Sequence, residues 1–426
     1  MSRTVETDVA VVGAGPAGLA AAARAAEQGA CVTLIDQAWA PGGQIWRRRP
    51  GAGEPRAARG WMARVVAAGV QRLAVAEVID GDLDAAPAIG LTVVTRGEII
   101  HLRARTVVLA TGARELFLPF PGWTLPNVLG AAGLQALIKG GLAVRGRRVV
   151  LAGSGPLLLP VASTLARAGA RLAIVAEQTP PASLRAFVRS LWRSPAHLAA
   201  AMAMRGGFAG TPYRAGTWVT RADGDGRIQQ VTLTDGARTW RESCDLLACG
   251  YGLVPSTELA RLLGCALSRA GITVDNAQRT SVDRVFAAGE CTGIGGAPLS
   301  VVEGEIAGLA AARVAVVPRV LAARRSAERA FAARVADAFA LRDELRALAL
   351  PDTIICRCED VRRGALDDAH EARDARLHAR LGMGACQGRV CGAALEVLRG
   401  WEPGAARPPV FPAPLAALAE PNRPRA

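Results

Sequence analysis

One stretch near the start constrains this chain most. Residues 8–37 read DVAVVGAGPAGLAAAARAAEQGACVTLIDQ. Val9–Val12 are continuously apolar, as in a strand buried on both faces of a parallel sheet. Gly13, Gly15 and Gly18 then space as Gly-x-Gly-x-x-Gly, with Pro16 and Ala17 completing the loop. Leu19–Glu27 read as an alanine-rich helix, and Val32–Ile35 as the next strand, ending at Asp36. Gly13 allows the tight turn, Gly15 lets a pyrophosphate approach the backbone, and Gly18 lets helix and strand pack closely. The helix N-terminus offers unpaired N–H groups to phosphate. Asp36 lies 23 residues beyond Gly13, where an acid accepts ribose hydroxyls. Strand, loop, helix, strand and acid together predict a dinucleotide-binding βαβ unit.

Two further strands end in comparable loops. VVLATGARE, residues 107–115, closes on Ala110, Thr111 and Gly112, and TSVDRVFAAGECTG, residues 280–293, closes on Gly289 and Glu290. Both resemble the later flavin motifs of the two-dinucleotide-binding flavoprotein superfamily, in which the last acid bonds the ribityl chain of FAD. The superfamily usually has Asp where this chain has Glu290. In PGGQIW, residues 41–46, Gly43 and Gln44 stand where that superfamily wraps chain around the flavin ring.

Residues 147–177, RRVVLAGSGPLLLPVASTLARAGARLAIVAE, repeat the first pattern. Val149–Leu151 form the strand, Gly153 and Gly155 the turn, and Glu177 falls 24 residues beyond Gly153. The repeat implies a second nucleotide-binding domain inserted in the first, where the superfamily keeps its NAD(P)H domain. Leu158 replaces the third glycine, and Pro160 follows in the early helix. A leucine there should hold helix and strand apart, and the proline removes an N–H. Three readings stay open: the site binds NAD(H), binds another adenine nucleotide such as ATP, or is empty scaffold. The segment after Glu177 reads as a helical hairpin. No Cys-x-x-Cys stands in this domain or beside the first loop, which excludes the dithiol chemistry of the thioredoxin-reductase kind.

The end of the chain is different. Residues 319–350 read as a helical linker, and Pro351 starts a small cysteine-bearing region. Cys356 and Cys358 form Cys-x-Cys; after 27 residues, Cys386 and Cys391 form Cys-x-x-x-x-Cys. Four thiolates suit iron–sulfur or zinc. The one-residue spacer is uncommon for structural zinc, which favours spacers of about two to four. It fits a [2Fe–2S] cluster better. Gly382, Gly384, Gly388 and Gly392 leave backbone N–H groups for sulfide. Cys31, Cys244, Cys249, Cys265 and Cys291 stand singly and read as small buried residues.

The net charge is +14, from 51 basic and 37 acidic residues, and Lys139 is the only lysine. The arginines are scattered, with no aromatic–basic stripe, so a nucleic-acid surface is not expected. No apolar run is long enough for a membrane span. Residues 1–8 leave no room for a signal peptide, so a cytoplasmic location is expected. His101, His197, His370 and His378 are scattered, and no acid/base pair for a substrate stands out, so the catalytic residues are unknown.

LATGARELFLPFPGWTLPNVLGAAGLQALIKGG, GSGPLLLPVA, CGYGLVPSTELARLLGC, CRCEDV and GACQGRVCG together resemble the FAD-containing alpha-type components of hetero-oligomeric amino-acid dehydrogenases. That group includes the A component of opine oxidase, the alpha components of hydroxyproline and proline dehydrogenases, and the B component of hydrogen cyanide synthase. Loops like GSGPLLL occur in it, which makes Leu158 less anomalous. The resemblance runs from about residue 5 to 418, and the cysteine region resembles bacterioferritin-associated ferredoxin.

The resemblance implies an α/β chain with two Rossmann-like domains, of FAD and NAD(P) type, the second inserted in the first, plus a small helical [2Fe–2S] domain. The expected boundaries are 1–140 and 245–318 for FAD, 141–244 for the second nucleotide domain, 319–350 for the linker, 351–401 for the cluster and 402–426 for a Pro-rich tail, frayed or laid along a partner. It implies a catalytic beta subunit of D-amino-acid-oxidase type with its own flavin, oxidising a secondary amine or imino acid of the hydroxyproline, proline or opine class. Some members carry the cluster on a small third subunit, and FMN at a subunit interface stays open beside FAD. Two rivals stand against this relay: a stand-alone NAD(P)H-dependent FAD/[2Fe–2S] oxidoreductase, and a nucleotide-stabilised scaffold with a zinc knob.

Overall fold

The structure is a computed structural model, and it describes residues 2–83, 85, 87–402, 404 and 406–419. The chain forms two compact units: residues 1–114, 255–332 and 405–426, and residues 115–254 and 333–404. The cysteine region belongs to the second unit.

The first unit is built on a seven-stranded sheet. Its parallel part runs Gln71–Ala74, Val32–Asp36, Ser2–Val12, Ile99–Leu109, with Val285–Ala287 also beside Ile99–Leu109. Ile89–Val94 and Glu77–Asp82 extend it antiparallel. Val, Ile and Leu on the central strands are almost fully buried. Helices Pro16–Glu27 and Gly296–Ala311 pack on each other through small residues. A Cβ on Gly304 or Gly308 would collide with the carbonyl oxygens of Ala17 or Ala21. Register puts the functional segments at one edge: Val12 pairs with Ile35 and Leu109, and Leu109 with Ala287. The loops at 13, 36, 110 and 288 therefore leave the sheet together, at its carboxyl end, where open α/β sheets bind ligands. From the tail, the Val410 N–H donates to the Ile79 carbonyl at 2.9 Å.

The second unit repeats the architecture. Its parallel sheet runs Tyr213–Ala215, Arg171–Glu177, Arg148–Gly153, Leu246–Gly250, Val128–Gly130, beside a three-stranded antiparallel sheet over Trp218–Ser243. The hairpin expected after Glu177 is present as helices Pro181–Ser190 and Pro195–Gly206. The second helix starts at Leu158, two residues later than Pro16 in the first repeat. Leu158 is fully buried among Val161, Ala162 and Leu165, and its bulk takes the place of the close glycine contact. The helix expected over 319–350 ends at Ala338. Residues 339–342 are non-helical because their backbone turns aside to bond elsewhere, and Asp343–Ala347 form one 3-10 segment. No helix among the described residues is long and apolar enough to cross a membrane.

Candidate cofactor sites

The first glycine loop has the shape its sequence demands. Gly13 has φ of +105°, and a Cβ there would strike the Ala110 carbonyl oxygen. A Cβ on Gly18 would strike the Gly13 carbonyl oxygen, so helix and strand touch at that point. Gly15 is the opposite case: nothing lies within 4 Å of its Cβ position on that side. The cradle is therefore tight at its walls and open where phosphate would approach. Pro16 opens the helix at its first position and Ala17 is buried beneath it.

Asp36 accepts the Ala14 N–H at 2.5 Å and the Ala38 N–H at 2.7 Å. Burial raises its pKa, and these two N–H donors oppose the rise. The carboxylate is thus held at the loop's edge. Residues 41–46 fold over the loop: the Gly42 N–H donates to the Ala14 carbonyl at 2.7 Å, and the Cβ position of Gly43 lies 3.1 Å from the Gly15 Cα. Gln44 is exposed and accepts from Arg47 at 2.8 Å. Ala110 is buried against Gly13. Thr111 donates to the Ser256 carbonyl at 2.6 Å, and Gly112 turns with φ of +71°.

Gly289 rests on the first helix, its Cβ position 2.7 Å from the Ala17 Cβ. Glu290 follows, and burial raises its pKa against the N–H of Gly296 at the next helix start. Sequence reading passed over Glu303. This buried carboxylate accepts from the Gly289 N–H and the Thr292 hydroxyl, both at 3.0 Å, and from Arg329 at 2.8 Å. It fixes the loop that carries Glu290, and a cleft of about 340 Å³ beside it is lined by Thr292, Gly293, Leu299, Glu303 and Arg329. The signal for it was the Glu-Gly-x-x-x-Gly spacing of residues 303–308, which marks a close helix contact. These residues fit FAD, which when bound supplies two-electron chemistry. Gly13–Gly18 would cradle its phosphates, and Glu290 stands beside the same sheet edge.

At the second loop Gly153 has φ of +150°, and its Cβ would strike the Gly250 carbonyl. Glu177 is fully buried. It accepts the Gly155 N–H and the Thr179 N–H, both at 2.9 Å, and the Tyr213 hydroxyl at 3.3 Å. Burial raises its pKa and these donors oppose the rise. Asp36 also bonds its own loop but is part-exposed, whereas Glu177, the acid expected to meet a ribose here, is wholly covered.

The four C-terminal thiols meet in the second unit. Strand Ile354–Cys356 and the following turn carry Cys356 and Cys358; the loop after Leu381 and the helix Cys391–Arg399 carry Cys386 and Cys391. Cys358 is hydrogen-bonded to Cys386, and Cys356 to Cys391. Burial raises the Cys386 thiol, but the N–H groups of Val390, Gly388 and Arg389 and the Cys358 thiol outweigh it and leave it below its usual value. Burial pushes Cys391 up to about 12. All nine cysteines are free thiols. Cys356 also acts on Cys358, and Cys386 on Cys391, so the four thiols lie near one another. Among the described residues no group of three or more His, Cys, Asp or Glu is arranged to hold a metal ion.

A family profile for pyridine nucleotide-disulphide oxidoreductases matches residues 7–327. The chain belongs to this family. It is an FAD-dependent oxidoreductase with the two-dinucleotide-binding α/β fold. It is 33% identical to the hydrogen cyanide synthase component HcnB of Pseudomonas aeruginosa, over 89% of this chain and 90% of that protein. It is 31% identical to the A component of opine oxidase from Rhizobium meliloti, over 92% of each. The solved L-proline dehydrogenase from P. horikoshii superposes with a TM-score of 0.73 over 99% of this chain and 81% of that one; at 21% identity this speaks to the fold alone.

Proposed function

We propose that the chain is the FAD- and [2Fe–2S]-carrying subunit of a hetero-oligomeric dehydrogenase. The substrate is a secondary amine or imino acid of the hydroxyproline, proline or opine class, oxidised at the flavin of a partner subunit of D-amino-acid-oxidase type. The opine oxidase and hydrogen cyanide synthase relatives are themselves named as subunits and match over nearly their full length, which supports the assembly. The observation that carries the reading is the gathering of Cys356, Cys358, Cys386 and Cys391 near one another, on a chain that also carries an open FAD cradle. Four thiolates suit a [2Fe–2S] group, and the one-residue spacer between Cys356 and Cys358 is uncommon for structural zinc. Held there, a [2Fe–2S] group supplies one-electron chemistry. N–H donors already turned to the Cys386 sulfur favour a thiolate ligand.

The region 351–401 is then the cluster-bearing part, and the FAD part lies in the first unit, 1–114 with 255–332, not over the expected 1–140 with 245–318, because strands Val128–Gly130 and Leu246–Gly250 belong to the second unit's sheet. Co-purification of the tagged chain from its host tests the reading. The expected result is a second flavoprotein subunit in fixed ratio, and amine-dependent dye reduction that the isolated chain lacks. A chain that purifies alone and oxidises the amine unaided contradicts it.

A further inference from the structure

We propose that the second glycine loop holds residues 339–342 of its own chain as its ligand, and for that reason takes up neither NAD(P)H nor ATP. The inference starts from what those residues touch. The Ser154 hydroxyl, inside the Gly-x-Gly turn, donates to the Phe339 carbonyl at 3.0 Å. The Gln178 amide, next to the ribose-position acid, donates to the Ala340 carbonyl at 3.1 Å and accepts the Arg342 N–H at 3.2 Å. The Phe339 side chain lies 3.8 Å from the Cβ position of Gly155, over the face where a pyrophosphate would rest. Phe187, from the helical hairpin, packs edge-on to Phe339 at 5.0 Å. The Arg342 guanidinium stacks 3.8 Å from the Trp218 ring centroid.

The polar groups of the loop are equally committed. The Gly155 N–H points to Glu177, and Glu177, Gln178 and Thr179 are fully buried. A dinucleotide would have to expel Phe339, break these bonds and leave buried donors unpaired. The family's nicotinamide site does not fit the residues present here. The loop serves instead as a socket that anchors the segment leading to Cys356. For its functional meaning this rests on the relay reading: with the socket filled, nicotinamide is not the electron donor through this domain.

Hydrogen exchange on the full, FAD-loaded chain tests it. The amides of 153–159, 177–179 and 339–342 should exchange slowly, and millimolar NADH, NADPH or ATP should leave all three segments unchanged. A nucleotide-dependent change in any of the three overturns the proposal. The Phe339→Ala, Arg342→Ala chain gives a second readout: exchange at 153–159 should rise by on the order of tenfold, as a local seal is lost. An unaltered rate there overturns the socket. Neither readout depends on whether the cysteines hold iron, so a failed cluster assignment and a failed socket are told apart.

Discussion

Gly18 and Gly13 touch backbone to backbone: the Gly13 carbonyl oxygen occupies the place a Gly18 side chain would take. Gly15, between them, has open space at the same position. The contrast separates what the fold needs from what the cofactor needs. Gly18→Ala should push helix Pro16–Glu27 off the sheet and lower stability by about 1–3 kcal/mol, the usual cost of overpacking. Gly15→Ala should leave apoprotein melting unchanged, because its φ of −73° suits alanine, yet weaken FAD binding at least about tenfold by filling the phosphate approach, a loss of roughly 1.4 kcal/mol. Melting curves and FAD titrations of both variants check the pair.

Glu303 ties the Gly289–Thr292 loop to Arg329. Glu303→Ala leaves the Gly289 N–H and the guanidinium without their acceptor, at a cost of about 1–3 kcal/mol. The same change should loosen FAD, because Glu290 rides on that loop. Glu303→Gln keeps one acceptor and should lose less of both. Equal losses in the two variants would contradict this role.

Glu115 gives a pH test. Burial raises its pKa to about 7, against N–H bonds from Ala132, Gly133 and Ala131 at a helix start. Between pH 4.5 and about 7 the folded chain holds a proton that the unfolded chain has lost. Stability from this residue therefore falls as pH rises through that window, by on the order of 3 kcal/mol. Glu115→Gln stays uncharged and lacks this slope. Urea midpoints at pH 5 and pH 8 should show the variant gaining on the wild type at the higher pH. The same difference at both values would contradict the assignment.

Much of this was legible in sequence because strand, turn and helix at residues 8–37 are set by short-range rules. Gly13, Gly18, Asp36 and Glu290 all come to one sheet edge, as their motifs imply. What escaped was long-range. Nothing local to Phe339 says that its carbonyl meets Ser154, and periodicity alone extended that helix past Ala338. Glu177 has the right spacing for a ribose acid, but spacing is silent on burial, and its carboxylate is turned inward to Gly155. Glu303 carries no cofactor motif of its own, and only the fold brings it under the Gly289–Thr292 loop.

Each of the four cysteines should be needed for one bound group. Cys386→Ser or Cys356→Ser should abolish iron and acid-labile sulfide while FAD content and the FAD spectrum stay as in the wild type. Loss of FAD together with iron would contradict independent sites in the two units.

The most direct measurement is the metal and sulfide content of the chain purified without oxygen. The account predicts iron and acid-labile sulfide in equal amounts, with a visible absorption beyond that of flavin that fades on one-electron reduction. Stoichiometric zinc without sulfide would contradict it.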